Sequence, residues 1–87
     1  MKREILKDIE IIIPETYSDE RGSFSENFNQ RRFNELVKRN YSFVQDNKSL
    51  SKKGVFRGLH YQLNHPQGKL VQVLSGEVFD VILDLRK

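Results

Sequence analysis

The residues best suited to chemistry lie in a β-prone run at 54–62, which contains Arg57, Gly58 and His60. The imidazole of His60 can act as a base near neutral pH, since the ordinary pKa of histidine is about 6.5. Strict strand alternation would point Arg57 and His60 to opposite faces, but a bulge at Gly58 would turn the base and the fixed positive charge toward one cavity. The residues leave a second interpretation open, in which His60 is half-buried with a hydrogen-bonded ring and Arg57 only solvates a strand edge.

The elements that must position these side chains are predicted to be mainly strands. Short β-prone or alternating segments are separated by turn residues at 19–22, 64–68 and 75–76. The predicted strands cover residues 9–13, 23–27, 41–49, 54–62, 69–74 and 77–85. Many short strands between turns are typical of an antiparallel β-sandwich or barrel. No linker or repeat divides the chain, so the sequence predicts a single domain over residues 1–87.

One stretch changes period and predicts a helix near residues 29–38. Phe33, Leu36 and Val37 form an apolar stripe at helical spacing, and Asn29 is placed to cap the amino end. The length corresponds to about three turns of helix. We expect this to be the one helix among the strands.

Composition excludes several classes of function. Fifteen basic and twelve acidic residues are interspersed, with a net charge of +3, which is typical of a solvated surface and not of a nucleic-acid-binding stripe. No apolar run is long enough for a signal peptide or a membrane span. Cysteine is absent, which excludes disulfides and thiolate metal sites and is compatible with the cytoplasm. We therefore expect a cytoplasmic protein that binds neither nucleic acid nor membrane.

Five segments together resemble one enzyme family in order and spacing. They are DERGSFSE at 19–26, QDNKS at 45–49, GVFRGLHYQ at 54–62, QGKLV at 67–71 and GEVFDV at 76–81. The chain thus resembles the N-terminal half of the dTDP-4-dehydrorhamnose 3,5-epimerase family. The resemblance implies a cupin or jelly-roll type of antiparallel β-sandwich, present here only in part.

The family reaction inverts C3 and C5 of dTDP-4-dehydro-6-deoxy-D-glucose and forms dTDP-4-dehydro-L-rhamnose, in dTDP-L-rhamnose biosynthesis. Such a reaction needs a base, a cation at the enolate oxygen and an acid on the opposite face. The resemblance implies that His60 is the base and that Lys69 stabilises the enolate. It places the acid, a tyrosine, and the carboxylate that orients the histidine in the C-terminal half, so we expect little turnover from these 87 residues alone.

The resemblance also implies a substrate-binding set. Arg21 and Arg57 match positions that bind the diphosphate, for which a guanidinium fork is well suited. Glu26, Gln45 and Asn47 match positions that bind the rest of the nucleotide sugar. In the family the segment 19–26 tends to serve the neighbouring subunit, which implies a homodimer. For Phe24 we expect packing on the core.

Cofactors are not expected. The sequence has no phosphate-loop or nicotinamide-binding glycine motif. His60, His65 and Glu77 invite a metal-site interpretation. However, metal-binding cupins usually place two histidines one residue apart, and here Gln62 stands at the second position.

Three other functions remain possible on this sequence. The first is a non-catalytic cupin module that binds a nucleotide sugar, and the second is a 3-epimerase of another dTDP-4-keto sugar. The third is a metal-dependent cupin oxygenase. In addition, the alternating strand at 77–85 runs almost to Lys87, the last residue. A sheet ending there has edges to cover, so we expect either pairing with a second copy or a longer protein.

Overall fold

The computed structural model describes residues 2–6 and 9–86, and the chain divides into two compact units, Met1–Leu50 and Ser51–Lys87. Regular structure among the described residues lies in the first unit. Its elements in order are β1 (Lys2–Leu6), β2 (Ile9–Ile13), β3 (Thr16–Asp19), β4 (Gly22–Ser25) and α1 (Gln30–Val37). Antiparallel strands with one short helix confirm the predicted mainly β class. The prediction about the end of the chain at Lys87 lies outside the described residues.

The first hairpin pairs β1 with β2 in antiparallel register, from Lys2 opposite Ile13 to Leu6 opposite Ile9. The strand predicted at 9–13 is confirmed, and its β-branched isoleucines explain it. β1 was not predicted, because three of its five residues are charged and hide the strand pattern. Backbone pairing with β2 stabilises β1 as a strand, although the composition of β1 alone does not predict one.

The second hairpin pairs β3 with β4, from Thr16 opposite Ser25 to Asp19 opposite Gly22. A two-residue connection, Glu20 and Arg21, joins the strands at the predicted turn. Gly22 has a φ of +134°, which L side chains rarely adopt, so a glycine is required there. The strand predicted at 23–27 exists but lies slightly earlier, at Gly22–Ser25.

The helix α1 forms where its apolar stripe predicted it. The side chain of Asn29 accepts a hydrogen bond of 3.1 Å from the backbone N–H of Arg32, as an N-cap residue does. The helix ends at Val37 because Lys38 takes a left-handed conformation with φ 57°. Phe33 and Val37 are the buried residues of the helix.

A small aromatic cluster surrounds Phe33. The Phe33 ring centroid lies 5.8 Å from Phe28, 5.5 Å from Phe43 and 6.1 Å from Tyr41. Arg3 of β1 reaches the other end of the helix and donates to the carbonyl of Leu36 at 3.0 Å, where a cation is favourable. These contacts join α1 to the first hairpin and to the segment that follows the helix.

The remaining strand predictions are wrong for this structure. In the described residues from 38 to 86, the segments 41–49, 54–62, 69–74 and 77–85 form no backbone ladder. Most of their large apolar side chains are exposed, with Val44 at 92% and Phe79 at 94%, although Phe43 is half-buried against Phe33. A strand needs a neighbour for its backbone hydrogen bonds, and alternation in the sequence does not supply that neighbour. Among the described residues, no helix has the length and apolarity that a membrane span requires.

Candidate functional site

The seven predicted site residues divide between the two compact units. The first unit contains the following four: Arg21, Glu26, Gln45 and Asn47. The second unit contains the other three: Arg57, His60 and Lys69. Each group is described within its own unit.

Arg21 lies at the tip of the second hairpin, where 87% of its side chain is exposed. Its Nη2 lies 2.7 Å and its Nε 3.1 Å from Oδ2 of Asp19, and its backbone N–H donates to Oδ1 of Asp19 at 2.8 Å. The hydrogen bonds from the side chain and backbone of Arg21 lower the pKa of Asp19. The carboxylate therefore holds the guanidinium at the tip, where an anion can reach it.

The same hairpin borders an open depression of about 250 Å³. It is lined by Tyr17, Asp19, Arg21, Gly22, Ser23 and Phe24. Phe24 lies opposite Tyr17 across the strands and is 70% exposed, so the prediction that it packs on the core is wrong. Two exposed aromatic rings beside a guanidinium can receive a flat base and an anionic group.

Glu26 follows β4 directly and is half-buried. Its Oε1 accepts a hydrogen bond of 2.8 Å from Nη1 of Arg32, in the first turn of α1. Within the described residues its Oε2 has no hydrogen-bond partner, so that oxygen can accept from a ligand. Arg32 was not predicted as a partner of Glu26, since the sequence does not show that the helix start turns back toward β4.

Gln45 and Asn47 lie together, as their spacing of two residues predicts. Nε2 of Gln45 donates to Oδ1 of Asn47 at 3.3 Å, and both residues are exposed. The segment that leads to them is held by two side chains of α1, Gln30 and Asn34. Gln30 and Asn34 were not identified from the sequence as functional residues. Their separation of four residues, which places both on one face of the helix, is the signal that could have indicated them.

In the second unit, Arg57 is exposed and its Nε donates to Oγ of Ser51 at 2.8 Å. His60 is exposed too, so it is not the half-buried histidine of the alternative interpretation. Gly58 has a φ of +122°, and a Cβ built there would lie 4.0 Å from Nδ1 of His60. The predicted bulge is not formed because this segment has no strand partner, yet Gly58 has the backbone conformation for which glycine is suited.

Lys69 is exposed in the second unit. In the part of the chain that the structure describes, no hydrogen bond or ion pair joins it to His60, so their convergence on one substrate stays a prediction. The described residues also contain no group of three histidine, cysteine, aspartate or glutamate residues placed to hold a metal ion.

Comparisons with known proteins give one family. The family model described as dTDP-4-dehydrorhamnose 3,5-epimerase matches residues 3–87. A protein of that name from Shigella flexneri is 57% identical over 88 residues, which cover 100% of this chain and 48% of the relative. One from Methanothermobacter thermautotrophicus is 60% identical over 79 residues, covering 88% and 41%. The chain thus spans about half the length of the curated relatives it matches, and no solved structure matches it significantly.

Proposed function

The chain belongs to the dTDP-4-dehydrorhamnose 3,5-epimerase family, and on that premise we propose that it carries the base and the substrate-binding residues of such an epimerase. The substrate is dTDP-4-dehydro-6-deoxy-D-glucose, and the product is dTDP-4-dehydro-L-rhamnose. The family match over residues 3–87 carries the proposal, since that span contains all seven candidate site residues.

The proposed chemistry begins at a C–H bond next to the C4 ketone. His60 takes the proton, and the electron pair of the broken bond moves into an enolate whose negative charge lies on oxygen. The ammonium of Lys69 stabilises that oxygen. An acid then delivers a proton to the opposite face of the same carbon, which inverts it, and the ketone re-forms. The exposed ring of His60 supports the first step because a substrate can reach it.

Substrate binding is proposed for the other residues. The guanidinium groups of Arg21 and Arg57 bind diphosphate oxygens, and Glu26, Gln45 and Asn47 bind polar groups of the nucleotide sugar. The exposed tip position of Arg21 and the free Oε2 of Glu26 among the described residues support these roles. We also propose a homodimer in which the second hairpin serves the neighbouring subunit, and a cytoplasmic location in dTDP-L-rhamnose biosynthesis.

A cupin or jelly-roll arrangement is part of the proposal. The alternating segments from 41 to 85 then pair with further strands and bury their apolar side chains. Their exposed apolar side chains among the described residues support this, since apolar segments without a neighbouring strand are suited to burial in a sheet.

The deciding experiment uses a hybrid enzyme, in which this chain replaces the aligned N-terminal portion of the Shigella flexneri relative. Incubated with the substrate in heavy water, the hybrid is expected to incorporate deuterium at C3 and at C5, as mass spectrometry and NMR can show. His60→Asn should slow incorporation by at least about a hundredfold, the scale of general-base catalysis. It should leave dTDP binding largely unchanged.

The control is His65→Asn, which makes the same substitution at an exposed histidine in a bend of the second unit. Incorporation by this variant should match that of the parent hybrid. Unchanged incorporation in His60→Asn would remove His60 from the mechanism. Deuterium at C3 alone would indicate a 3-epimerase instead.

A second candidate is a non-catalytic module that binds a nucleotide sugar. The observation that favours it is that no hydrogen bond or ion pair joins Lys69 to His60 in the described part of the second unit. In that case the hybrid binds dTDP but incorporates no deuterium at either carbon.

A further inference from the structure

Two amide side chains of α1 hold the backbone of the segment that follows the helix. Nδ2 of Asn34 donates to the carbonyl of Tyr41 at 2.9 Å, and Oδ1 of Asn34 accepts from the N–H of Tyr41 at 3.1 Å. Oε1 of Gln30 accepts from the N–H of Phe43 at 3.1 Å. We call Gln30 and Asn34 the amide clamp.

The spacing of the clamp matches the segment that it holds. Gln30 and Asn34 are four residues apart, on one face of the helix, and their backbone partners are two residues apart. The clamp therefore fixes one alignment of the segment along the helix, with Tyr41 beside Asn34 and Phe43 beside Gln30. A slip of one residue would present the backbone groups of residues 40 and 42, and their side chains would point to the other side.

Packing reinforces this register. The rings of Tyr41 and Phe43 lie 6.1 Å and 5.5 Å from the ring of Phe33, which is located between the two clamp residues in the helix. Both Asn34 and Tyr41 are half-buried. Water therefore competes less with their hydrogen bonds than it would at an open surface.

The clamp stands directly before the two candidate substrate-binding amides. Gln45 and Asn47 continue the alternation of residues 41 and 43, and their side chains are bonded to each other at 3.3 Å. No backbone ladder holds the described residues from 38 to 50, so the clamp and the ring contacts of Tyr41 and Phe43 fix the part of this stretch that leads to Gln45. A preordered segment loses less conformational entropy when a ligand binds.

From this we infer that Asn34, together with Gln30, is a positioning residue that sets the register of residues 41–47 and so presents Gln45 and Asn47 to the nucleotide sugar. The ligand-binding part of this inference rests on the proposed function. The register part does not, because it follows from the hydrogen bonds of the clamp.

The test substitutes Asn34→Leu in this chain, with Asn40→Leu as the matched control. Asn34→Leu removes both the donor to the carbonyl of Tyr41 and the acceptor of its N–H at a similar side-chain volume, whereas Asn40 is exposed and outside the clamp. Amide hydrogen exchange measured by NMR should accelerate about tenfold to a hundredfold at Tyr41 and Phe43 in the first variant. The control should stay within about twofold of the wild type.

A second variant separates register from folding. Gln30→Leu removes the acceptor of Phe43 alone, so exchange should accelerate at Phe43 while Tyr41 stays protected. A general loss of folding would accelerate both amides, and helical circular dichroism would fall with it. Equal exchange at Tyr41 in the wild type and in Asn34→Leu would overturn the inference.

Binding is measured on the same variants in the hybrid enzyme with dTDP as the probe, followed by the side-chain amide signals of Gln45 and Asn47. Affinity should fall about tenfold or more in Asn34→Leu and remain unchanged in Asn40→Leu. If exchange accelerates while affinity is unchanged, the positioning role is wrong. If the wild type does not bind dTDP, the substrate-binding part of the proposed function is contradicted, and the exchange result alone decides the register of the segment.

Discussion

At the scale of single residues, the structure shows what holds each candidate side chain before a ligand arrives. Arg21 is bonded to Asp19, and Glu26 is bonded to Arg32, so an arginine and a carboxylate of the candidate set each have an exchangeable ionic partner. Exposed ion pairs contribute little to stability. Their function is therefore better sought in orientation than in the free energy of folding.

The pKa of Asp19 offers a direct measure of where the Arg21 guanidinium lies. That pKa is lowered chiefly by the hydrogen bond from the Arg21 side chain. If a diphosphate takes the guanidinium away, the pKa of Asp19 should rise toward its ordinary value. An NMR titration of the Asp19 carboxyl carbon with and without dTDP measures this change.

Arg21→Gln is the reference for that titration, since it should raise the pKa of Asp19 without any ligand. A carboxylate whose pKa is lowered in the folded state stabilises that state at a pH above its unfolded-state pKa. This stabilisation is lost as the pH falls through the folded-state pKa. The turn should therefore loosen on acidification in the wild type and less so in Arg21→Gln. A pKa of Asp19 that does not respond to dTDP would contradict diphosphate binding at Arg21.

At the scale of elements, α1 organises the first unit. Phe33 and Val37 on its apolar side are buried in the core, and Arg32 in its first turn donates a hydrogen bond to Glu26. The side-chain amides of the clamp bind the backbone of residues 41 and 43. The N-cap residue Asn29 decides where this helix begins. Both a core contact and the candidate substrate-binding segment therefore depend on one short helix of 8 residues.

Removal of the cap should weaken the whole first unit. Asn29→Ala deletes the acceptor for the N–H of Arg32 and should lower the free energy of unfolding by about 1 kcal/mol. Urea unfolding followed by circular dichroism measures the loss. Asn40→Ala is the control, at an exposed position beyond the helix, and should change the free energy by less than about half that amount.

At the scale of the whole molecule, the chain divides into two units, and its residues from 38 to 86 expose most of their large apolar side chains in the described structure. The chain also spans about half the length of its relatives. An alternating segment is stabilised mainly by its cross-strand neighbours. We therefore expect the proposed activity from a polypeptide of the relatives' length.

This leads to a prediction about the 87-residue chain by itself. In heavy water with the substrate, it should incorporate deuterium at a rate near the uncatalysed background, while the hybrid enzyme incorporates it readily. The reason is that the proposed base lies in this chain, whereas the family resemblance places the opposing acid and the carboxylate that orients the histidine in the C-terminal half. Robust epimerisation by the purified chain would show that these groups are present within residues 1–87.

The sequence alone determined the local features, because local features depend on neighbouring residues. The β-branched run at 9–13, the turn at 19–22 with its glycine, and the helix capped by Asn29 all follow from short-range chemistry, and the structure confirms them. The motifs likewise identified the family, which the family model and the relatives confirm.

Only the tertiary structure decided which long-range partners exist. β1 became a strand through its pairing with β2, and Asn34 became part of a clamp because the chain returns past it at Tyr41. The segments from 41 to 85 have strand-like alternation but no ladder among the described residues, since a strand is completed by a second backbone. The pattern of apolar residues in the sequence determines which side chains share one face of a segment. Tertiary packing determines which other part of the protein contacts that face.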